Sequence, residues 1–282
     1  MNLFSPAGSA SPANDAAAPR QLAVYATYLA LHRIAAELAS SDTPHSAPLA
    51  LACGMDAAGA EAAIASKLAG ASFLGIDASL ALQKSAQRSR ACDFLVNSTS
   101  EALRMLKLAL RKSQPIAVGL LADPVAALEQ LCERGVQPQF LFPPASNALS
   151  TEIQNALTLL TQRGARSLHV SDAPALPDTE SLVRWTAATP GDLRHIDALV
   201  LDHLSAEETP RRRWLQHAPT YFLRPSPPER IGSLTAEEFS SLQAALLAPT
   251  PFLLTLRAAL HGPAELTWTD ASAQTHTLRI TP

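Results

Sequence analysis

The sequence is poor in charged residues, which make up 17% of its 282 positions, whereas about 25% is typical of soluble domains. Its formal net charge is −3, so it lacks the basic footprint that duplex-binding proteins carry. We therefore expect no nucleic-acid partner. No apolar run approaches the roughly 18 residues that a membrane-spanning helix needs, and we expect no membrane partner.

Cysteine is also scarce. Cys53, Cys92 and Cys132 lie far apart and form no CxxC pair, which predicts reduced, mostly buried thiols in a cytoplasmic protein. Residues 1–20 have no basic end followed by an apolar core, so we expect a flexible tail there and not a secretory signal. A phosphate loop with lysine, a nucleophile elbow and an HExxH motif are absent from the sequence.

A repeated strand-then-helix rhythm is present instead. A first helix is predicted from Gln21 to about Leu38. Short apolar runs then alternate with amphipathic segments, and strands are predicted at 49–52, 72–76, 94–96, 116–121, 140–142 and 168–170. This pattern predicts an α/β fold with a doubly wound, mostly parallel Rossmann-like sheet.

After Val170 the rhythm changes. The predicted elements are, in order, a short helix capped by Asp178, a helix from about Asp192 to Leu204, a proline-rich linker at 225–228, a helix capped by Thr235 and Glu238, and a hairpin of 265–269 and 275–280. The predicted domains are the tail at 1–20, a Rossmann domain at 21–225 and a small C-terminal α+β appendage at 226–282.

The turn after the first strand is half of a dinucleotide fingerprint. Gly54 and Gly59 match the first and third glycines of G-x-G-x-x-G, but Asp56 replaces the middle one. A carboxylate facing a diphosphate about 4 Å away would be repelled by roughly 4 kcal/mol at an effective dielectric near 20, unless Asp56 turns outward. Asp77 lies 23 residues past Gly54, where a ribose-binding acid is expected. Alternatively, the two glycines serve only turn and packing, and Asp77 caps the next helix.

Residues 48 to about 225 are similar to the central Rossmann-type domain of urocanase (urocanate hydratase). The segments that carry the likeness are 68–77, 116–121, 134–138, 191–192, 196–197 and 213–215. The resemblance implies a domain that holds NAD tightly, with the cofactor acting as an electrophile. We find no counterpart in this sequence of the urocanase parts that hold the substrate and complete the nicotinamide pocket.

Carried over by position, the family's cofactor-binding residues are poorly kept. Its Gly-Met-Gly triplet falls on 57–59, where Gly59 alone is glycine, and its ribose-binding glutamate falls on Asp77. Its arginine falls on Leu82 and its asparagine on Asp123. Its Asp-Gln-Thr-Ser-Ala-His signature falls on 143–148, where Ser146 alone is kept. The candidate cofactor-binding residues are therefore Gly54, Asp56, Gly59, Asp77, Asp123 and Ser146.

Two hypotheses about function follow. In the first, the chain is a non-catalytic relative that binds a nucleotide-like ligand weakly or a protein partner, and a second copy or a true urocanase covers its exposed apolar face. No urocanate hydratase activity and no resident cofactor are expected; NAD is the cofactor that the resemblance leaves open. In the alternative, an enzyme with lyase-like or metal-dependent chemistry uses the former crevice, where acidic groups suit a cationic ligand.

The sequence contains two further groups of polar residues. His169, Ser171 and Asp172 follow the sixth predicted strand and could line a pocket at the carboxyl ends of the strands. Asp192, His195 and Asp202 share one face of a predicted helix. Their spacing has no matching second cluster, so we expect a solvated polar face and assign no metal ligand or catalytic residue.

Overall fold

The computed structural model describes residues 17–39, 48–144, 150–171, 174–207, 209–222, 228–247, 251–269 and 275–282. The chain divides into two compact units. The larger comprises residues 23–175 and 208–221, and the smaller comprises residues 1–22, 176–207 and 222–282. The domain boundaries expected from the sequence, at residues 20 and 225, remain a prediction.

The described residues form strands and helices that alternate from α1 to β6 and then follow a less regular order. The strands are β1 (Leu49–Cys53), β2 (Ser72–Asp77), β3 (Phe94–Val96), β4 (Ala117–Leu121), β5 (Phe140–Phe142), β6 (Arg166–Ser167), β7 (Glu180–Thr186), β8 (Glu229–Thr235), β9 (Ala264–Thr269) and β10 (Thr275–Ile280). The helices are α1 (Ala17–Ala39), α2 (Ala57–Leu68), α3 (Leu80–Arg88), α4 (Thr99–Arg111), α5 (Pro124–Glu133), α6 (Thr151–Gln162), α7 (Pro190–His203), α8 (Pro210–His217), α9 (Ala236–Leu247) and α10 (Pro251–Ala259).

The larger unit is built on a six-stranded parallel sheet in the order β3-β4-β2-β1-β5-β6. Every residue of β1 is buried, as expected for a central strand that is covered on both faces. Leu51, Leu74 and Val118, from three adjacent strands, share one apolar core with residues of α4, α5 and α6. The predicted fold class, a Rossmann-like parallel sheet with a small C-terminal α+β part, is confirmed.

Helices α5 and α6 of this unit begin at capping side chains. Asp123 accepts a hydrogen bond from the Ala126 N–H, and Pro124 occupies the first turn of α5. Ser150 likewise accepts from the Ile153 N–H at the start of α6. Ser98 precedes α4 but makes no capping bond with its side chain. The sixth strand is β6 and precedes the predicted 168–170 segment, which is not a strand.

The smaller unit contains an antiparallel sheet in the order β10-β9-β7-β8. The helix predicted after Asp178 is wrong, because residues 180–186 form β7, which pairs with strands that come much later in the chain. The helix α7, the hairpin of β9 and β10, and the Thr235–Glu238 capping box are confirmed. The Thr235 N–H donates to Glu238, and the Glu238 N–H donates to the Thr235 hydroxyl. The predicted linker at 225–228 lies almost entirely outside the described residues.

A buried ion pair lies in the core of this smaller unit. The Arg230 guanidinium, 2% exposed, donates to Asp197 Oδ2 at 3.0 Å and 3.3 Å. Trp185 Nε1 donates to Asp197 Oδ1 at 2.7 Å. Burial raises the pKa of Asp197, against the opposing attraction and hydrogen bonds of Arg230 and the hydrogen bond from Trp185. The pair joins α7 to β7 and β8.

The polar face predicted for α7 is only partly solvated. His195 and Asp202 are exposed, but Asp192 is fully buried, and its Oδ1 accepts from the backbone N–H of His261 at 3.0 Å. The solvated face expected for Asp192 is therefore wrong. Its side chain fixes the segment after α10 to the first turn of α7.

None of the helices in the described part of the chain is both long enough and apolar enough to cross a membrane.

Candidate functional site

A small crevice opens at the carboxyl ends of β1 and β5. The order of the sheet reverses at β1, which lies between β2 and β5, and in open α/β sheets this switch point is where ligands bind. The crevice has a volume of about 90 Å³. Its lining comes from the end of β1 and the turn after it, from the last residue of β5 and the two prolines that follow, and from His169 and Val170.

The turn after β1 keeps the geometry of its two glycines. Gly54 has φ +112°, a conformation that residues with a side chain rarely adopt, and its N–H donates to the Ile76 carbonyl at 2.8 Å. Gly59 lies in the first turn of α2, directly against Gly54. A Cβ atom at Gly59 would meet the Gly54 carbonyl oxygen well inside the 3.0 Å that real Cβ atoms observe. Both glycines therefore serve the tight turn and the close packing of helix on strand.

The Asp56 carboxylate caps α2. Its Oδ1 accepts a hydrogen bond from the Gly59 N–H at 3.0 Å, and the residue is exposed at the mouth of the crevice, which it lines. A helix N-terminus presents free N–H groups and a positive partial charge that favour an anion. Here the anion is part of the chain. The Asp56 side chain therefore does not point outward, and its carboxylate occupies the Gly59 N–H.

Asp77 stabilises the same turn from the end of β2. Its Oδ2 accepts from the Met55 N–H at 2.7 Å, and its Oδ1 accepts from the Ser79 N–H at 2.7 Å. The cap of α3 is Ser79, which accepts from the Leu82 N–H. The alternative in which Asp77 caps the next helix is therefore wrong in detail: its carboxylate joins the glycine turn to the residues before α3.

The remaining predicted site residues do not join this group. Asp123 is exposed, caps α5 at the end of β4 and is not part of the crevice lining. Ser146 and Asp172 lie outside the described residues. His169 is exposed and does line the crevice. The structure thus brings together Gly54, Asp56, Gly59 and His169, with Asp77 behind the turn.

Cys53 is a lining residue that sequence reasoning did not assign to the site. It is the last residue of β1, and this position was the available signal, since the carboxyl ends of central strands face such crevices. Its thiol is buried, and burial raises its pKa to about 12. The thiol therefore stays protonated at neutral pH and is a poor nucleophile.

Metal-binding geometry is not found in the described ranges, where no three or more His, Cys, Asp or Glu side chains gather closely enough to hold an ion. Asp56, Asp77 and Asp123, the three carboxylates of the candidate site, do not form such a group. Each of these carboxylates accepts hydrogen bonds from backbone N–H groups and is used within its own turn or helix start.

Among the comparisons with known proteins, the family match concerns one part of the chain. Residues 20–147 match the model of the urocanase Rossmann-like domain. Two solved structures of PKMT2 from Rickettsia typhi, one of them in complex with AdoHcy, are 12% identical to the chain at a TM-score of 0.29. They match 71% and 83% of this chain, which spans 36% and 39% of theirs. At that TM-score the likeness supports no conclusion about fold or activity.

The family match begins earlier and ends earlier than the resemblance noted from the sequence, which extended from 48 to about 225. It covers α1, the glycine turn and the strands β1 to β5, which include every strand that adjoins the crevice. The chain therefore contains, over residues 20–147, a Rossmann-like domain of the urocanase family.

Proposed function

We propose that this chain is a non-catalytic, cytoplasmic urocanase-like protein whose Rossmann-like domain has lost tight NAD binding and acts by contact with a partner or a weakly bound ligand. The observation that carries the proposal is the hydrogen bond from the Gly59 N–H to Asp56. That N–H is one of the groups with which a dinucleotide-binding turn would hold a diphosphate.

NAD does not fit the crevice for three reasons. Asp56 places a negative charge where a phosphate would lie, and repulsion at about 4 Å amounts to roughly 4 kcal/mol at an effective dielectric near 20. Pro143 and Pro144 line the opposite wall and offer no N–H donors. The volume of about 90 Å³ is also far below the ~300–1,000 Å³ of typical ligand pockets.

Hydration of a conjugated acid needs an electrophile, a proton donor and a positioned water. The crevice offers His169, Asp56 and the protonated Cys53 thiol, without a resident electrophile among its own side chains. The alternative of an enzyme with altered, metal-dependent chemistry finds no support in these carboxylates, which form no metal-holding group within the described residues. We therefore favour the binding role.

Titration with NAD in a calorimeter tests this proposal. The wild-type protein is expected to bind NAD more weakly than about 1 mM, because about 4 kcal/mol of repulsion reduces affinity by roughly three decades. Asp56→Gly frees the Gly59 N–H and removes the charge, and should strengthen binding. Asp56→Asn removes the charge but keeps a capping side chain, so it should recover only the electrostatic part.

Asp123→Asn serves as the matched control, because it removes an exposed helix-capping charge outside the crevice. It should leave NAD affinity unchanged. Wild-type binding tighter than about 1 μM, or NAD co-purifying with the protein, would contradict the proposal.

Contact with another protein is supported by exposed apolar side chains around one edge of the sheet. Leu80 and Leu82 on α3, Phe94 on β3 and Leu108 on α4 are 37–55% exposed. β3 is a three-residue edge strand, and its unpaired side can accept another strand. Exposed apolar groups on an unpaired edge strand and on the helices that contact it are typical of a contact surface.

Sedimentation equilibrium tests whether the partner is a second copy. We expect the wild-type protein to self-associate at micromolar concentration, and Phe94→Glu combined with Leu108→Glu to be monomeric, because two buried carboxylates would be uncompensated in the interface. Leu159→Glu is the control, because Leu159 is 37% exposed on α6, away from β3. A wild-type protein that is monomeric at all concentrations rules out the homodimer.

A further inference from the structure

A groove larger than the crevice lies at the opposite edge of the parallel sheet from the glycine turn. Leu49 is the first residue of β1 and Gln139 immediately precedes β5, and both line this groove, whereas the crevice follows the last residues of the same strands. The groove also runs along α4 and the loop after α5, and its volume is about 700 Å³. That lies within the ~300–1,000 Å³ typical of small-molecule sites.

The base of the groove is apolar. Leu49, Leu103 and Leu106 line it and are 1–9% exposed, so they belong to the core and are held in place by it. Leu110 and Val136 add half-buried surface. A ligand with an apolar body could remove more of this surface from water.

The charge in the groove has one sign. Arg104 and Lys107 on α4 and Arg134 at the end of α5 line it, and none of its described lining residues is acidic. Within the described part of the chain, no carboxylate lies within ion-pair distance of these three cations. Three cations collected in one concavity of a protein with net charge −3 create a local field that attracts anions.

Arg134 is positioned by a bond that spans two helices. Its Nη1 donates to the Ser100 hydroxyl in the first turn of α4 at 2.9 Å. Guanidinium has five donors, so this bond leaves others for a ligand. A planar guanidinium matches phosphate and carboxylate oxygens in pairs.

We propose that this groove binds a small organic anion, with a phosphate or carboxylate group held by Arg104, Lys107 and Arg134 and an apolar body on the leucine base. The site is independent of the glycine turn and of the function proposed for it. Its ligand is an anion because no described carboxylate pairs with these cations, and a small molecule because the groove has the volume of a small-molecule pocket.

Calorimetry at low ionic strength with three matched probes tests the site. 1-Naphthyl phosphate and 1-naphthoate carry the two candidate anionic groups, and 1-naphthol has the same apolar body without the charge. We expect at least one anion to bind about tenfold or more tightly than naphthol, with affinity that falls as salt is added. Whichever anion binds more tightly identifies the preferred group.

The double variant Arg104→Gln, Arg134→Gln should weaken binding of the anions about tenfold or more, while Arg88→Gln, an exposed arginine of α3 outside the groove, should not. Asp56→Gly should also leave this binding unchanged, which separates the groove from the NAD experiment. Amide NMR shifts should concentrate at 100–110 and 134–139.

Equal binding of naphthol, unchanged binding by a double variant whose circular dichroism is native, or shifts confined to 54–59 would each overturn the proposal.

Discussion

Gly59→Ala is expected to lower the free energy of unfolding of the larger unit by about 3 kcal/mol, near the upper end of what overpacking one methyl group costs. The added Cβ would collide with the Gly54 carbonyl oxygen and approach its carbon to 3.0 Å. Both are backbone atoms, and they cannot rotate away as a side chain would. The Gly54 backbone has a φ of +112° and is fixed by its hydrogen bond to the Ile76 carbonyl. The collision can therefore be relieved only by a shift of α2.

Chemical denaturation followed by circular dichroism measures this loss, and amide hydrogen exchange in β1 and β2 locates it. Gly191→Ala is the matched control: Gly191 also lies in the first turn of a helix, and its added Cβ would meet only Thr189 Oγ1, at an ordinary 3.5 Å. Since alanine favours helix over glycine by about 1 kcal/mol, that variant should be neutral or stabilised. A loss below about 1 kcal/mol for Gly59→Ala would show that α2 can shift freely and that the packing argument is wrong.

The architecture of the larger unit could be predicted because its signals are local. Buried parallel strands appear as short apolar runs, and the helices between them begin at residues such as Asp123 and Ser150, whose capping bonds the structure contains. These signals act over a few residues, so a single sequence is enough to find them. The strand–helix alternation then restricts the topology.

The smaller unit was less predictable because its sheet depends on distant partners. β7 follows Asp178 and Thr179, which imitate a helix cap, but its neighbours β8 and β9 come more than forty residues later. β8 is buried along nearly its whole length, so the polar–apolar alternation of a one-sided strand is missing there. Of the strands in this sheet, only those of the final hairpin, which are adjacent in sequence, could be predicted.

At the candidate site, the sequence identifies the residues but not the directions of their side chains. Asp56 could face a diphosphate, turn outward or cap the helix, and the spacing of the motif is the same in all three cases. The choice depends on rotamers and on whether the Gly59 N–H finds a closer acceptor. Asp77 presents the same difficulty, because one of its oxygens accepts from the backbone N–H of Met55 and the other from that of Ser79. The volume of the crevice, which bears most directly on cofactor fit, depends on packing that no local pattern encodes.

The other large effect is expected at the buried ion pair of the smaller unit. Asp197→Ala should lower the free energy of unfolding by about 3–5 kcal/mol, because it leaves the Arg230 guanidinium buried without its counter-charge. The side chain of Arg230 is 2% exposed and its Nη1 already has no hydrogen-bond partner among the residues that the structure describes, so water cannot readily replace the lost carboxylate. Trp185, whose indole N–H also donates to Asp197, makes tryptophan fluorescence during urea denaturation a suitable readout.

Two controls separate the effect of the lost counter-charge from the effect of lost packing in this experiment. Arg279→Ala removes an exposed pair with Glu265, whose side chains are 65% and 42% exposed, and should cost less than about 1 kcal/mol. Replacing the buried pair together, by Asp197→Leu with Arg230→Met, removes both charges and should recover most of the stability, since apolar residues of similar volume often match or exceed a buried pair. If the double replacement were as damaging as Asp197→Ala, the loss would come from packing around α7, and the unpaired guanidinium would not be its cause.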